Sequence, residues 1–410
     1  MLSLKKSCVA FFAAALFLPL FFSCASVPSD GAASSGEIEK RPVGETQAAT
    51  SKTAEPEAVP DSRITLLFAG DVMAHATNYR PGKFDRIWRD VAPLVKTADL
   101  AFANIEAPVS DTIPWNTYPQ FNMHSEYVEA AIDAGFNVFS LANNHTNDQL
   151  LQGIKDTKKY FDSRAGIWAC GLKDKTSDPI SHKIIEKNGF KILFVAITEL
   201  LNRGDASSYI DYYPSTQKKR AQLSSELKAL QEKSGCDLFV LSVHTDEPEY
   251  VLSVTEERKK FYRDLIENCK VDIVWANHPH VVKGYEEVEP STSYAEQSGR
   301  KAFIMYANGN VISAQRQEPS FKKPETDWDN TGDGLFLRME LKKTADGKIT
   351  IEKAEPFLIT TYLAPSRQFV IKLLDDSFLD ALDRAELSDW ASYLRERRSI
   401  VNKRIGESEN

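Results

Sequence analysis

Six short apolar runs in this 410-residue chain end in a carboxylate, a carboxamide or an imidazole. ITLLFAG leads to Asp71, DLAFAN to Glu106, and VFSLAN to Asn144 and His145. LFVLSV leads to His244, VDIVWAN to His278-Pro279-His280, and AFIMYAN to Asn310. Hard carboxylate oxygen can bridge two divalent cations, and imidazole fills the borderline-soft positions of such a centre. Brought to one rim, Asp71, Glu106, Asn144, His244, His278 and His280 have the composition of a metal centre. Such a centre neutralises charge on a phosphoryl or acyl group and activates water.

The neighbours of these residues extend the set. Asn144 offers a neutral carbonyl oxygen, and His145 beside it can donate a proton or stabilise an oxyanion. Asp148 follows three residues later in the same polar segment and joins His145 as a catalytic candidate. Asn104 lies two residues before Glu106, on the same face of a strand, where it can orient the carboxylate. Asn143 and Asn310 stand at other strand exits as supports of the same kind. His75, four residues after Asp71, is open to three readings: a catalytic or metal-contacting group, a phosphate contact, or a helix-start surface residue. In His278-Pro279-His280 a trans step before proline favours extended geometry, so both rings can aim into one crevice. His124 and His182 fall outside the strand-end pattern and read as structural.

The elements that must position these groups are legible from periodicity. Runs rich in Val, Ile, Leu and Phe, bounded by polar punctuation, predict buried strands. Helical spacing appears over Phe84–Thr97, Leu150–Phe161, Ser215–Lys233 and Glu256–Lys270, and over Ser125–Ala134, with Ser125 as N-cap and Gly135 after the end. Strand–helix alternation predicts an α/β fold, whose ligand crevice lies at the carboxyl ends of the strands. Ile192–Thr198 is a strand of the same kind that ends in no obvious ligand. Beyond Asn310, the irregular stretch Gln315–Gly334 predicts a functional rim or lid. LFLRMEL and KITIEKA then predict a hairpin closing at Asp346-Gly347. Asp376–Asn402 predicts one or two amphipathic helices, packed on the core or facing a partner.

Acidic and basic residues are well mixed, and the net charge of −8 argues against a nucleic-acid partner. Lys5 and Lys6 followed by apolar Cys8–Phe22 predict a signal peptide over 1–24, and Phe21-Phe22-Ser23-Cys24 resembles a bacterial lipobox with Cys24 as the lipidated residue. The expected location is therefore the cell envelope, on the exported side of a membrane, with the lipid as anchor. Residues 25–61 hold almost no large apolar side chain and predict a disordered linker. Cys170, Cys236 and Cys269 show no CxxC spacing, which excludes a zinc ribbon or a dense disulfide framework.

GDVM (Gly70–Met73), ADLAFANIEAPVS (Ala98–Ser110), AGFNVFSLANNHTND (Ala134–Asp148), Val243-His244, NHPH (Asn277–His280) and YANGN (Tyr306–Asn310) occur in that order. In this they resemble the capsule-synthesis protein CapA family of poly-γ-glutamate biosynthesis, itself similar in motif order to calcineurin-like metallophosphoesterases. The resemblance covers Arg63–Leu341 and implies a four-layer α/β/β/α sandwich, two central sheets flanked by helices. It places that domain over 62–360, followed by a C-terminal helical extension over 361–410. It also implies two divalent ions (Mn, Zn, Fe or Mg) held by Asp71, Glu106, Asn144, His244, His278 and His280, with His145 as the acid or oxyanion-stabilising group. The implied role is a membrane-anchored protein of capsule or related polymer synthesis that hydrolyses phosphoester or related bonds. Its implied partners are an anionic polymer and membrane-embedded synthesis proteins. The chain departs from the pattern after His244, where Thr245-Asp246 replaces Trp-Gly, and at Met73, where an Asp-x-His opening would place a histidine. Two alternatives stand beside the hydrolase: a non-catalytic lipoprotein that guides an anionic polymer, and a γ-glutamyl amide hydrolase or transferase.

Overall fold

β1 (Ser62–Val72), β2 (Leu100–Ile105), β3 (Val138–Ser140) and β4 (Trp168–Cys170) pair in parallel as neighbours. The chain then crosses to a second sheet and builds β5 (His182–Lys187), β6 (Phe190–Thr198), β7 (Leu238–His244), β8 (Ile273–Asn277), β9 (Val282–Val288) and β10 (Ala302–Asn308) in the order β5-β6-β7-β8-β10-β9. It returns through β11 (Asn310–Ile312), which pairs with β1. β12 (Asp333–Lys343), β13 (Ile349–Leu363) and β14 (Phe369–Leu373) extend the first sheet by antiparallel pairing to the order β14-β13-β12-β1-β2-β3-β4. This computed structural model describes residues 61–291 and 301–408, and Ala58–Asn410 forms one compact unit. The signal peptide, Cys24 and all of the linker but Asp61 lie outside the described residues.

Period-two burial sets the layers. Leu66, Phe68 and Phe102 of the first sheet face Phe194, Val240 and Trp275 of the second. Phe68 stacks on Phe102 with ring centroids 4.5 Å apart, and Trp275 closes on Phe102 edge-on at 6.0 Å. The alternate residues Leu67, Ala101 and Phe139 face a layer containing α1 (Ser125–Asp133) and α2 (Leu150–Asp162). On the opposite side Leu193, Val195, Leu241 and Val243 meet Leu223 and Leu227 of α3 (Gln217–Ser234) and Tyr262 and Leu265 of α4 (Glu256–Cys269). Strands buried on both faces read as continuous apolar runs, which is why they stood out in the sequence. The architecture is the α/β/β/α sandwich of two sheets between helices.

Three local expectations change. Phe84–Thr97 is broken into one-turn helices at Asp85–Trp88 and Ala92–Val95, because Pro93 lacks an amide donor and its ring clashes with the preceding turn. The N-cap of α1 is His124, and Ser125 binds Asp111 through its Oγ instead. The boundary read at 360 falls inside β13, and the region after it adds the strand β14 to the sheet before any helix begins. The hairpin at Asp346-Gly347 forms as read, with Gly347 at φ 85°.

The C-terminal helices, Asp376–Arg384 and Ser388–Ser408, pack on the core. Arg397 is fully buried and donates to Asp333 through Nε (2.9 Å) and Nη2 (2.5 Å), and to Asn330 Oδ1 (2.7 Å). Arg316 also pairs with Asp333, so one buried carboxylate ties the long rim after Asn310 to the last helix. Arg397→Ala leaves that carboxylate half-neutralised in the core and should cost about 3–5 kcal/mol, measured as a lowered midpoint in urea unfolding. A loss under about 1 kcal/mol, the range of exposed pairs, would refute this account of the rim.

Candidate metal centre

The carboxyl ends of β1, β2, β7, β8 and the β3 exit converge, and glycine makes the convergence possible. Asp71 donates its amide to Gly309 O at 3.0 Å. A Cβ on Gly70 would lie 1.8 Å from that oxygen, and Gly309 itself sits at φ 69°. Only glycine lets β1 and the β10–β11 turn approach so closely. Met73 then accepts the Tyr127 hydroxyl on its carbonyl at 3.0 Å, which fixes the chain leaving β1.

Asp71, Glu106, Asn144, His244, His278 and His280 are all buried, and they lie together. His280 Nδ1 is 3.2 Å from Asp71 Oδ2, and its Nε2 is 3.5 Å from Glu106 Oε1. His244 Nε2 is 3.7 Å from Glu106 Oε1 and 2.9 Å from Asn144 Oδ1. The rings of His244 and His278 have centroids 4.9 Å apart. Asn104 donates to Asp71 Oδ1 at 2.8 Å and lies 3.3 Å from Glu106 Oε2, the orienting place read from its spacing. Asn143 donates to Ile105 O at 2.7 Å, bracing the β2 exit. Asn310 Oδ1 lies 3.0 Å from His280 Nδ1, while its amide donates to Thr331 O at 2.9 Å.

The backbone of the His-Pro-His segment differs from the extended form expected before proline. His278 has φ 106° and His280 φ 58°, both on the left-handed side. Such conformations cost on the order of 1–3 kcal/mol each and persist where the surroundings impose them. Here they turn both imidazoles inward on successive short steps.

Whether these groups suit a divalent cation can be tested on their unmet valences. Glu106 Oε1 and His278 Nδ1 are buried without a hydrogen-bond partner, although both sit in the cluster. Three overlapping sets of ligand atoms lie within 4.8 Å of one another: Asp71/Glu106/His280, Glu106/His244/His278 and Glu249/His278/His280. Burial, with Asp71 next to it, pushes the Glu106 carboxyl well above the usual carboxylate range. Burial, then the neighbouring imidazoles, holds His244 and His278 well below the usual histidine value, leaving them neutral as ligands must be. His280 is held above that value: burial, the largest single influence, opposes its charge, but Asp71, Glu249 and Asn310 together outweigh it. Unpaired acid and imidazole atoms facing one another in a dry site are what a bound cation would satisfy. The donor set fits.

His145 stands beside this cluster and belongs to none of the three ligand sets. Its Nδ1 lies 2.7 Å from Asp148 Oδ2, which also accepts the Phe121 amide at 2.8 Å. Asp148 thereby holds the ring orientation and favours the Nδ1–H tautomer, leaving Nε2 to act. Phe121 packs edge-on against His145 at 4.8 Å. His75 N-caps the one-turn helix Ala76–Tyr79, and its Nδ1 accepts the Ala314 amide at 3.2 Å. Burial first, then His280 and His145, push it down to about 3. It is a neutral member of the cavity wall, outside the three ligand sets. His124 stacks on Trp115 away from the centre, and His182 begins β5.

Two groups in the site escaped the sequence reading. Glu249 shares a ligand set with His278 and His280, yet it lies in the loop after β7 rather than at a strand end. Tyr250 at φ 66°, its amide bonded to Pro279 O at 2.9 Å, is what carries that loop over the His-Pro-His segment. Asn202 has its Nδ2 3.3 Å from His145 Nδ1, and its backbone donates to Asn144 O at 3.0 Å. It comes from the exit of β6, the strand read as contributing nothing. Glu-Tyr in the post-His244 segment was the available signal for the first; nothing local marked the second.

The family described as "Bacterial capsule synthesis protein PGA_cap" matches residues 65–315. A "Capsule biosynthesis protein CapA" from Bacillus anthracis is 24% identical over 325 residues, covering 75% of this chain and 72% of the relative. A "PGA biosynthesis protein CapA" from Bacillus subtilis (strain 168) is 24% identical over 345 residues, covering 80% and 83%. Among solved structures, a putative 5'-nucleotidase from Staphylococcus aureus is similar at a TM-score of 0.42, with 12% identity, covering 72% of this chain and 54% of that one.

Proposed function

Because the chain belongs to the bacterial capsule synthesis family PGA_cap, we propose that it is an envelope-tethered, metal-dependent phosphoester hydrolase of capsule or related anionic-polymer synthesis. The observation that carries this reading is Glu106. Its carboxylate belongs to both the Asp71/Glu106/His280 and the Glu106/His244/His278 sets, so Glu106 would help to hold a divalent ion in either. Bound there, divalent ions would supply charge neutralisation at the phosphoryl oxygens and an activated water at neutral pH.

The remaining work falls to the protein's own groups. Asp71 and Glu106 oppose the charge of the ions, and Asn104 keeps both carboxylates aligned through its amide. As the imidazolium, with its Nδ1–H held by Asp148, His145 would give its Nε2 proton to the leaving oxygen. Phe121, edge-on against His145, helps to hold that ring in place. Carboxylate, carboxamide and imidazole donors together suit Zn, Mn or Fe better than an all-oxygen ion such as Mg.

The purified protein should hold about two divalent ions per chain, as binuclear sites do, and hydrolyse simple phosphoesters in a reaction stopped by chelation and restored by metal. Less than one ion per chain, with phosphoesters untouched, would exclude this reading. Cleavage of γ-glutamyl peptides dependent on His145 would turn it to amide chemistry. Met73, apolar on the cavity wall where an imidazole would add a donor, favours one second reading: a site that binds an anionic polymer without cutting it. A metal-loaded protein inert to phosphomonoesters, phosphodiesters and γ-glutamyl peptides yet retaining oligo-γ-glutamate would support that. Tethering rests on Cys24: Cys24→Ser should abolish metabolic labelling with radioactive palmitate and release the protein from membranes. Label retained in that variant would refute lipidation at this position.

A further inference from the structure

The cavity above the metal cluster has a composition that the need for cations alone does not explain. It measures ≈ 430 Å³, the size of a small-molecule site. Among the described residues that line it there is no Lys or Arg; its one carboxylate outside the cluster core is Glu249. A long polyanion entering here would find no Lys or Arg on the cavity wall to pair with. The mouth is instead aromatic. Trp328 is 54% exposed and Tyr118 69%, the two most exposed large hydrophobic residues among those described. Tyr250 stands 5.3 Å from Trp328 and 6.4 Å from His280, centroid to centroid, so rings step from solvent to the cluster.

These rings are held in place rather than left over. Trp328 rides on the one-turn helix Asp327–Asn330, closed by a capping box between Thr326 and Asp329. Asp329 also accepts the Tyr393 hydroxyl at 2.6 Å, which ties this turn to the C-terminal helix. Tyr250 keeps its left-handed backbone, a costly conformation for an aromatic residue. Large exposed aromatic faces on a braced scaffold mark a surface that meets a ligand.

We propose that the substrate carries, next to the anionic group that reaches the metal cluster, a flat uncharged ring that stacks on Trp328, Tyr250 and Tyr118. The natural substrate is then a ring-bearing activated precursor of the polymer, such as a nucleotide-like phosphoester, and not the finished polyanion. This rests on reading the centre as a phosphoester site and names the class of its substrate.

The test compares four probes on the Mn²⁺-supplemented full-length protein by titration calorimetry: inorganic phosphate, phenylphosphonate, hexylphosphonate and an oligo-γ-glutamate. Phenylphosphonate should bind about tenfold tighter than phosphate, the range of one aromatic stack. That ratio should fall below about threefold in the Trp328→Ala/Tyr118→Ala double variant and recover in Trp328→Phe/Tyr118→Phe. Hexylphosphonate matching phenylphosphonate would overturn stacking in favour of mere apolar contact. Phosphate binding with no gain from the ring, or tighter binding of oligo-γ-glutamate, would overturn the proposal while the metal reading stands. Phenylphosphonate bound equally with and without Mn²⁺, with phosphate unbound, would support the ring site and overturn the metal reading.

Discussion

Glu106→Gln should reduce bound divalent metal to less than one ion per chain and remove phosphoesterase activity by more than about a thousandfold, the scale at which charge stabilisation acts in such sites. The amide keeps the shape of the side chain and loses the second charged oxygen, so both candidate positions that share Glu106 weaken together. Stability offers a readout independent of turnover. A ligand that binds only the folded protein, at a thousandfold its Kd, adds about 4 kcal/mol. Wild-type protein should therefore melt higher with added Mn²⁺, and the variant should not respond. The metal-free variant should be no less stable than metal-free wild type. Burial, with Asp71 beside it, raises the Glu106 carboxyl's folded value above its unfolded one, so keeping this acid buried costs stability as pH rises above the unfolded value, and the cost fades as pH falls back to it. Glutamine removes it at every pH. A variant that melts lower without metal, and still responds to Mn²⁺, would place Glu106 in the fold rather than in the centre.

His145→Gln should separate proton transfer from metal binding. His145 lies in none of the candidate ligand sets, so metal content should match wild type. Loss of a positioned acid lowers turnover about 10²- to 10⁴-fold, and the loss should appear in kcat with little change in KM. It should be largest for esters with poor leaving groups and small for nitrophenyl esters, whose leaving oxygen needs little protonation. Equal losses across the two leaving groups would refute the acid role. Loss of metal would instead make His145 a ligand.

The parts of this molecule that could be read from its letters share a physical origin. β1, β2, β7, β8 and β10 are buried on both faces, so each appears as an unbroken apolar run whose polar end is conspicuous. The two-residue repeat puts Asn104 on the face of Glu106; its amide lies 3.3 Å from Glu106 Oε2 and also donates to Asp71 Oδ1, a contact the repeat does not show. What stayed hidden depends on distant pairings. Gly70 looks ordinary until Gly309 O arrives against it from the other end of the domain. His278 before proline reads as extended, and only the packing around Asp71 and Tyr250 turns it to positive φ. Glu249 and Asn202 enter from loops, where no periodicity fixes direction. The apolar spacing of Phe84–Thr97 runs straight through Pro93, which breaks the helix there.

The C-terminal segment shows the same division. Its amphipathic helices were legible, yet their task was not. Arg397 reaches Asp333 and Asn330, and Tyr393 reaches Asp329, so the last helix braces the rim that carries Trp328 over the cavity. Charged residues dense enough to suggest a partner surface are, in part, an internal clamp.

Anomalous diffraction from Mn²⁺-loaded crystals tests the central claim most directly. Two peaks are predicted in the buried cluster, one contacted by Asp71, Glu106 and His280 and the other by Glu106, His244 and His278, with Glu106 common to both. Peaks at the protein surface alone, or a cluster that stays without anomalous signal at saturating Mn²⁺, would contradict it.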